Sequence, residues 1–202
     1  MNILIASVGG QGGLTLSRVI ALAAVGDGKS VRTGETLGMA QRFGSVVSYV
    51  RVGDEIHSPV FDPGDADVIL GLELIEVSRN VHYLRRGGKI YTADEVKPPI
   101  SSSLGIAENP KKSDLISRVS SKVKEIGGEL YVIPAREIAV KAGNYRAMNM
   151  VLLGAFNASY SLLTDESVRK AIYQLLPGRK GDISVNAYMQ GKSLNLKDYR
   201  KK

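Results

Sequence analysis

The opening of the chain constrains its fold more than any other stretch. An apolar run, Asn2–Val8, is closed by Gly9-Gly10-Gln11-Gly12-Gly13, and Leu14, Ser17, Ile20, Ala21 and Ala24 then follow at helical spacing. That order is a strand, a glycine turn and a helix. A short run at residues 31–33 completes a strand-helix-strand unit of parallel-sheet type.

Glycines without side chains let backbone approach a ligand, and a helix that follows them presents free amides to an anion, so this loop suits a phosphate or carboxylate. The strict dinucleotide fingerprint fails, because counting from Gly10 puts Thr15 where the third glycine should fall. Glu35 imitates the ribose-binding acid only loosely. The glycines can also serve simply to turn the chain and permit close packing. Gly26-Asp27-Gly28 resembles the start of a metal-diphosphate motif, but the next asparagine is Asn80, far beyond the required spacing, so it reads as a turn.

Further along, valine-rich Ser45–Val52 and residues 56–61 suggest two strands meeting as a hairpin across Gly53-Asp54. Residues 66–70 and 88–92 read as strands, with a helix over 74–84 between them. A Pro- and Ser-rich loop occupies residues 97–103. Ser113 is placed to cap a helix that buries Leu115, Val119 and Val123, and Gly127-Gly128 stops it before a strand at 130–133. Beyond Ala135 the pattern is helical, with Asn144 and Thr164 as caps and Pro177-Gly178 as a stop. The expectation is one α/β unit with a Rossmann-like three-layer fold. Its mostly parallel, mixed central sheet spans residues 1–134, and a helical C-terminal cover spans 135–202.

The chain has no cysteine, which removes disulfides, thiolate nucleophiles, cysteine-ligated zinc and all-cysteine iron-sulfur clusters from its own chemistry. His57 and His82 are poorly spaced for a metal site, and no Ser-His-Asp, Cys-His or paired-carboxylate arrangement can be argued from spacing. The formal charge of +7 belongs to the second half: residues 101–202 hold 17 Lys and Arg against 9 Asp and Glu. These cations are scattered, as on solvated helix faces, and give no reason to expect a nucleic-acid partner. The opening residues lack the basic start of a signal peptide, and the apolar stretch 147–163 contains Asn149 and Asn157, so a cytoplasmic location and a buried helix are expected rather than a membrane span.

Residues 32–45 put polar, flexible side chains at the C-terminal end of the second strand, the edge where open sheets bind ligands. There Arg42 and nearby Arg51 offer planar donors, and Met39 and Phe43 offer apolar surface. A mobile loop with ordinary surface arginines is the competing reading. Catalysis by this chain alone has little support.

Taken together, Gly9-Gly10-Gln11-Gly12-Gly13-Leu14-Thr15-Leu16-Ser17-Arg18, the stretch Val31-Arg32-Thr33-Gly34-Glu35-Thr36-Leu37-Gly38-Met39-Ala40-Gln41-Arg42-Phe43-Gly44-Ser45-Val46, Val50-Arg51 and Ser58-Pro59 resemble the gamma-type module of 2-oxoacid:ferredoxin oxidoreductases. The form it resembles most is the module of the indolepyruvate enzymes. The resemblance implies a hetero-oligomer in which a large partner subunit holds thiamine diphosphate, magnesium and [4Fe-4S] clusters. Such a complex converts an aryl pyruvate and coenzyme A into acyl-CoA, carbon dioxide and reduced ferredoxin. It also implies that this chain is inactive alone and has no catalytic residue of its own. Gly9, Gly10, Gln11, Gly12, Gly13 and Arg42 would contact a ligand such as coenzyme A, and Glu35, Met39, Gln41, Phe43 and Arg51 would face the partner's active site. Phe43 stands where related modules often carry a second small residue, and it could pack on an aromatic substrate or on the partner. Two further classes stay open: a free-standing nucleotide-binding oxidoreductase and a non-catalytic docking subunit.

Overall fold

A computed structural model describes residues 1–37, 44–98 and 108–201. Seven strands form one sheet in the order β2-β3-β1-β4-β5-β6-β7. They are β1 (Asn2–Val8), β2 (Val31–Leu37), β3 (Ser45–Val52), β4 (Ala66–Gly71), β5 (Leu84–Ala93), β6 (Glu129–Ile133) and β7 (Arg200–Lys201). The helices are α1 (Gly13–Gly26), α2 (Leu74–Asn80), α3 (Lys112–Glu125), α4 (Ala135–Ala142), α5 (Met148–Tyr160), α6 (Asp165–Leu175) and α7 (Arg179–Lys192).

β1, β4, β5 and β6 run parallel to one another. Their apolar runs are continuous because both faces are covered. Alternation along β1 divides them: Ile3 and Ile5 enter a core built with α1 and helices α4 to α7, while Leu4 and Ala6 enter a second core with α2 and α3. The C-terminal helices thus complete the layer that α1 begins. The cover does not run to the chain end, since β7 returns to pair antiparallel with β6, where Arg200 meets Glu129 at 2.8 Å.

Three further expectations are corrected. β2 does not pair with β1, because β3 lies between them, antiparallel to both. The hairpin partner of β3 is therefore β2, and residues 56–61 form no strand. Pro59 has no N–H for a ladder, and its ring lies against β2, where a Cβ on Gly34 would come within 2.9 Å of Pro59 Cγ. Finally, Ser113 is not the cap of α3. Lys111 occupies that position, and the Ser113 hydroxyl donates to Asp114 Oδ1 at 2.9 Å.

The other punctuation holds. Asn144 Oδ1 accepts from the Arg146 N–H in the 3-10 turn that leads into α5, and Thr164 Oγ1 accepts from the Ser167 N–H at the start of α6. Asn157, buried in α5, uses its whole amide: Nδ2 donates to Leu163 O and to the Tyr188 hydroxyl, both at 2.8 Å, and Oδ1 accepts from the Leu163 N–H at 3.0 Å. Gly26-Asp27-Gly28 is the end of α1, and its aspartate braces α6. Asp27 accepts from the Thr164 N–H at 2.8 Å and from the Thr164 and Ser167 hydroxyls at 2.6 Å.

These carboxylates make folding acid-sensitive. Burial raises the Asp27 pKa, but hydrogen bonds from Ser167 and Thr164 outweigh it and leave the group below the ordinary 3.8. Hydrogen bonds from Lys192 and Tyr188 likewise lower Asp165. A folded pKa below the unfolded one stabilises the protein above about pH 4, and that contribution is lost as pH falls through the depressed value. The thermal midpoint is therefore expected to hold from about pH 7 to 5 and to fall below 4. Asp27→Asn should cost about 1 kcal/mol at neutral pH and make the acid limb shallower, as measured by thermal melts across pH.

Candidate functional site

Where β1 ends, the chain turns sharply at the glycine loop. Gly10 and Gly12 hold φ of 93° and 86°, a region that favours glycine. The two glycines differ in what surrounds them. A Cβ on Gly10 would meet nothing within 4 Å, so its backbone is open to a ligand, whereas one on Gly12 would lie 2.7 Å from Asn149 Nδ2. Gly13 is required by packing, since a Cβ there would come within 2.3 Å of Ser7 Oγ. The Gly9 N–H donates to Gly44 O at 2.8 Å. Gln11 straps the loop down: its Oε1 accepts from the Val8 N–H at 2.8 Å, and its Nε2 donates to Leu72 O at 3.2 Å. α1 then starts without a side-chain cap, and its first intrahelical bond runs from the Leu16 N–H to Gly12 O. The amides before Leu16 have no acceptor within the helix.

Gly10, Gln11, Gly12 and Thr15 form one wall of a cleft of about 330 Å³. Glu95 and Lys97 beyond β5, Arg136 at the start of α4, the segment from Asn144 to Asn149 and Lys180 of α7 also line it, together with Leu176, Ile183 and Ser184. It lies at the C-terminal end of the parallel strands. At that end β1 sends its helix to one face and β4 sends its helix to the other, the usual location of a ligand in an open α/β sheet. Four cations, Lys97, Arg136, Arg146 and Lys180, face a single carboxylate, Glu95, which pairs with Arg136 at 3.2 Å. The Arg136 guanidinium sits 4.8 Å from the ring centroid of half-exposed Tyr145, and Arg146 sits at 5.9 Å. A hydrogen bond from Arg146 draws the Tyr145 hydroxyl below its usual pKa. This arrangement offers planar charged donors and an aromatic face to an anion bearing a ring.

The sequence-derived candidates separate clearly. Gly10, Gln11 and Gly12 line the cleft, and Gly9 and Gly13 stand behind it. Glu35 is exposed on the edge strand β2, with β3 between it and β1, so it cannot stand beside the glycine loop as a ribose-binding acid would. Arg51 lies opposite Asn2, at the end of β1 remote from the loop, where Nε donates to Asn2 Oδ1 and Nη1 to Ser58 O, both at 3.1 Å. Met39, Gln41, Arg42 and Phe43 lie outside the described residues. Reading the sequence missed Arg136, Tyr145, Arg146 and Lys180. The available signal was position: Arg136 follows the end of β6 and Arg146 follows the Asn144 cap. Among the described residues no three His, Asp or Glu side chains gather as a metal site, and no helix is long and apolar enough to cross a membrane.

Residues 2–194 match the family model for pyruvate ferredoxin/flavodoxin oxidoreductase. The chain belongs to that family. It is 36% identical over 191 residues to the indolepyruvate oxidoreductase subunit IorB of Thermococcus kodakarensis, covering 94% of this chain and 93% of the relative. To the subunit of the same name from Pyrococcus horikoshii it is 38% identical over the same shares. The fold matches the crystal structure of the pyruvate oxidoreductase subunit PORC of Thermotoga maritima with a TM-score of 0.72 at 20% identity, covering 100% of this chain and 97% of that one. It also matches 30% of the 2-oxoglutarate:ferredoxin oxidoreductase chain of Magnetococcus marinus, solved with 2-oxoglutarate, coenzyme A and succinyl-CoA bound, with a TM-score of 0.71 and 96% of this chain covered.

Proposed function

We propose that this chain is the small subunit of a 2-oxoacid:ferredoxin oxidoreductase acting on indolepyruvate or a related aryl pyruvate, and that its glycine-loop cleft receives the nucleotide end of coenzyme A. The relatives named above support the enzyme class. One observation carries the cleft assignment: four cations and an exposed tyrosine ring converge on an open glycine loop. Phosphate groups fit the arginines and loop amides, and an adenine ring fits the Tyr145 face.

The chain has no cysteine to ligate an iron-sulfur cluster, which supports assigning electron transfer to a large partner subunit. That subunit would bear [4Fe-4S] clusters and also the thiamine diphosphate and magnesium for decarboxylation, with ferredoxin as the acceptor. What this chain supplies is binding and orientation of the acyl acceptor. It is inactive alone. In the reconstituted complex, Arg146→Ala should raise the KM for coenzyme A about tenfold with kcat nearly unchanged, as expected for lost uniform binding of a charged group. An unchanged KM for coenzyme A in both Arg146→Ala and Arg136→Ala would remove the ligand from this cleft.

A further inference from the structure

We infer that Glu73 is a positioning residue that sets the far wall of the cleft against the glycine loop. The inference rests on the cleft being the ligand site proposed above, but its central measurement does not involve the ligand. Glu73 is fully buried at the start of α2, and its two carboxylate oxygens do different work. Oε2 accepts from the Glu76 N–H at 2.8 Å, which caps the helix, and Oε1 accepts from the Lys97 N–H at 3.0 Å. The neighbouring Leu74 N–H donates to Glu95 O at 2.9 Å. Residues 95 and 97 of the cleft wall are thereby bonded to α2, and Glu95 in turn pairs with Arg136.

The same short segment reaches the glycine loop in the other direction. The Leu72 N–H donates to Ala6 O at 2.8 Å, and Leu72 O accepts from Gln11 Nε2. Both walls therefore hang from residues 72–76, and a change at Glu73 alters their spacing without touching a ligand. Capping alone does not explain a glutamate here. Serine, threonine, aspartate and asparagine are the preferred caps, and none of them buries so long a charged side chain. Burial raises the Glu73 carboxyl above its ordinary pKa, with nearby Glu76 adding to the shift against three backbone amides that oppose it. The long buried side chain is accounted for by reach, since its two carboxylate oxygens bridge the cap amide of Glu76 and the amide of Lys97.

Glu73→Asp separates the two roles, because aspartate still caps a helix but falls one methylene short of Lys97. In the full chain, amide hydrogen exchange should show faster exchange at Lys97 with the Glu76 amide close to wild type, while the melting temperature falls modestly for the lost methylene and hydrogen bond. In the complex, KM for coenzyme A should rise about tenfold and kcat should hold. If the aspartate variant fails to fold, Glu73→Gln is read at both amides: its one oxygen accepts from one of them while its NH₂ opposes the other, so exchange rises at Lys97 or at Glu76. Unchanged Lys97 exchange in Glu73→Asp, or unchanged exchange at both amides in Glu73→Gln, overturns the anchor, and faster Lys97 exchange with an unmoved KM overturns the positioning role. If Lys97 exchange rises while Arg136→Ala and Arg146→Ala leave KM unmoved, the anchor stands and the coenzyme A assignment falls.

Discussion

Replacing Gly154 with alanine is expected to lower the thermal midpoint by about 6–12 °C, corresponding to a loss of about 3 kcal/mol in a domain of this size. Helices α5 and α7 cross with their backbones in contact. A Cβ on Gly154 would stand 2.1 Å from Tyr188 O and 2.6 Å from the Lys192 N, while one on Gly191 would stand 2.1 Å from Val151 O. The obstructing atoms are backbone on both sides, so no side-chain rotation relieves the overlap, and the helices must separate. Separation is costly because α5 is buried from Met148 to Asn157. Gly191→Ala should behave alike, and the double variant should cost less than the sum, since one alanine already opens the crossing that the other would strain. The effect should reach the proposed coenzyme A site as well: α5 opens beside Asn149, and α7 carries Lys180 into the cleft. Thermal melts of the single and double variants test the packing, and KM for coenzyme A tests the transmission.

What could be read from the sequence follows from how local each feature is. The β1 run, the glycine loop and α1 are contiguous, and the parallel strands announce themselves by unbroken apolar stretches, so this frame was visible. Strand order was not, because residues 56–61 look as strand-like as 31–33, while residues 34–37, which read as part of a polar, flexible loop, continue β2 to Leu37 along β3. The loop half of the cleft was legible and the basic half was not. Arg136 and Arg146 stand more than 120 residues from Gly10 and look like two more scattered surface cations until the topology brings the strand ends together. Asn149 and Asn157 pointed to a buried helix, which α5 is, but their hydrogen bonds to Gly12 and to the Tyr188 hydroxyl depend on tertiary contacts. Gly154 and Gly191 read as ordinary weak points in helices. Their need for glycine exists only at the crossing.

Gly12→Ala is expected to destabilise the fold by about 2–4 kcal/mol and to weaken the proposed coenzyme A binding more than any single arginine change at the cleft. Two independent causes add. The residue sits at φ 86°, where a Cβ costs about 1–2 kcal/mol, and that Cβ would lie 2.7 Å from Asn149 Nδ2. Asn149 cannot simply withdraw: it is buried, its Nδ2 donates to Gly12 O at 3.0 Å, and its Oδ1 accepts from the Met150 N–H at 2.9 Å. Combining Gly12→Ala with Asn149→Ala therefore distinguishes the causes. Removing the amide relieves the overlap but not the backbone strain, so in the Asn149→Ala background Gly12→Ala should cost only about 1–2 kcal/mol, less than it costs in wild type. Coenzyme A affinity should recover less than stability does, because the strained turn still misdirects the amides of the loop and of the first turn of α1. Full recovery of affinity in the double variant would mean that crowding at Asn149, rather than the left-handed turn, is what the glycine avoids.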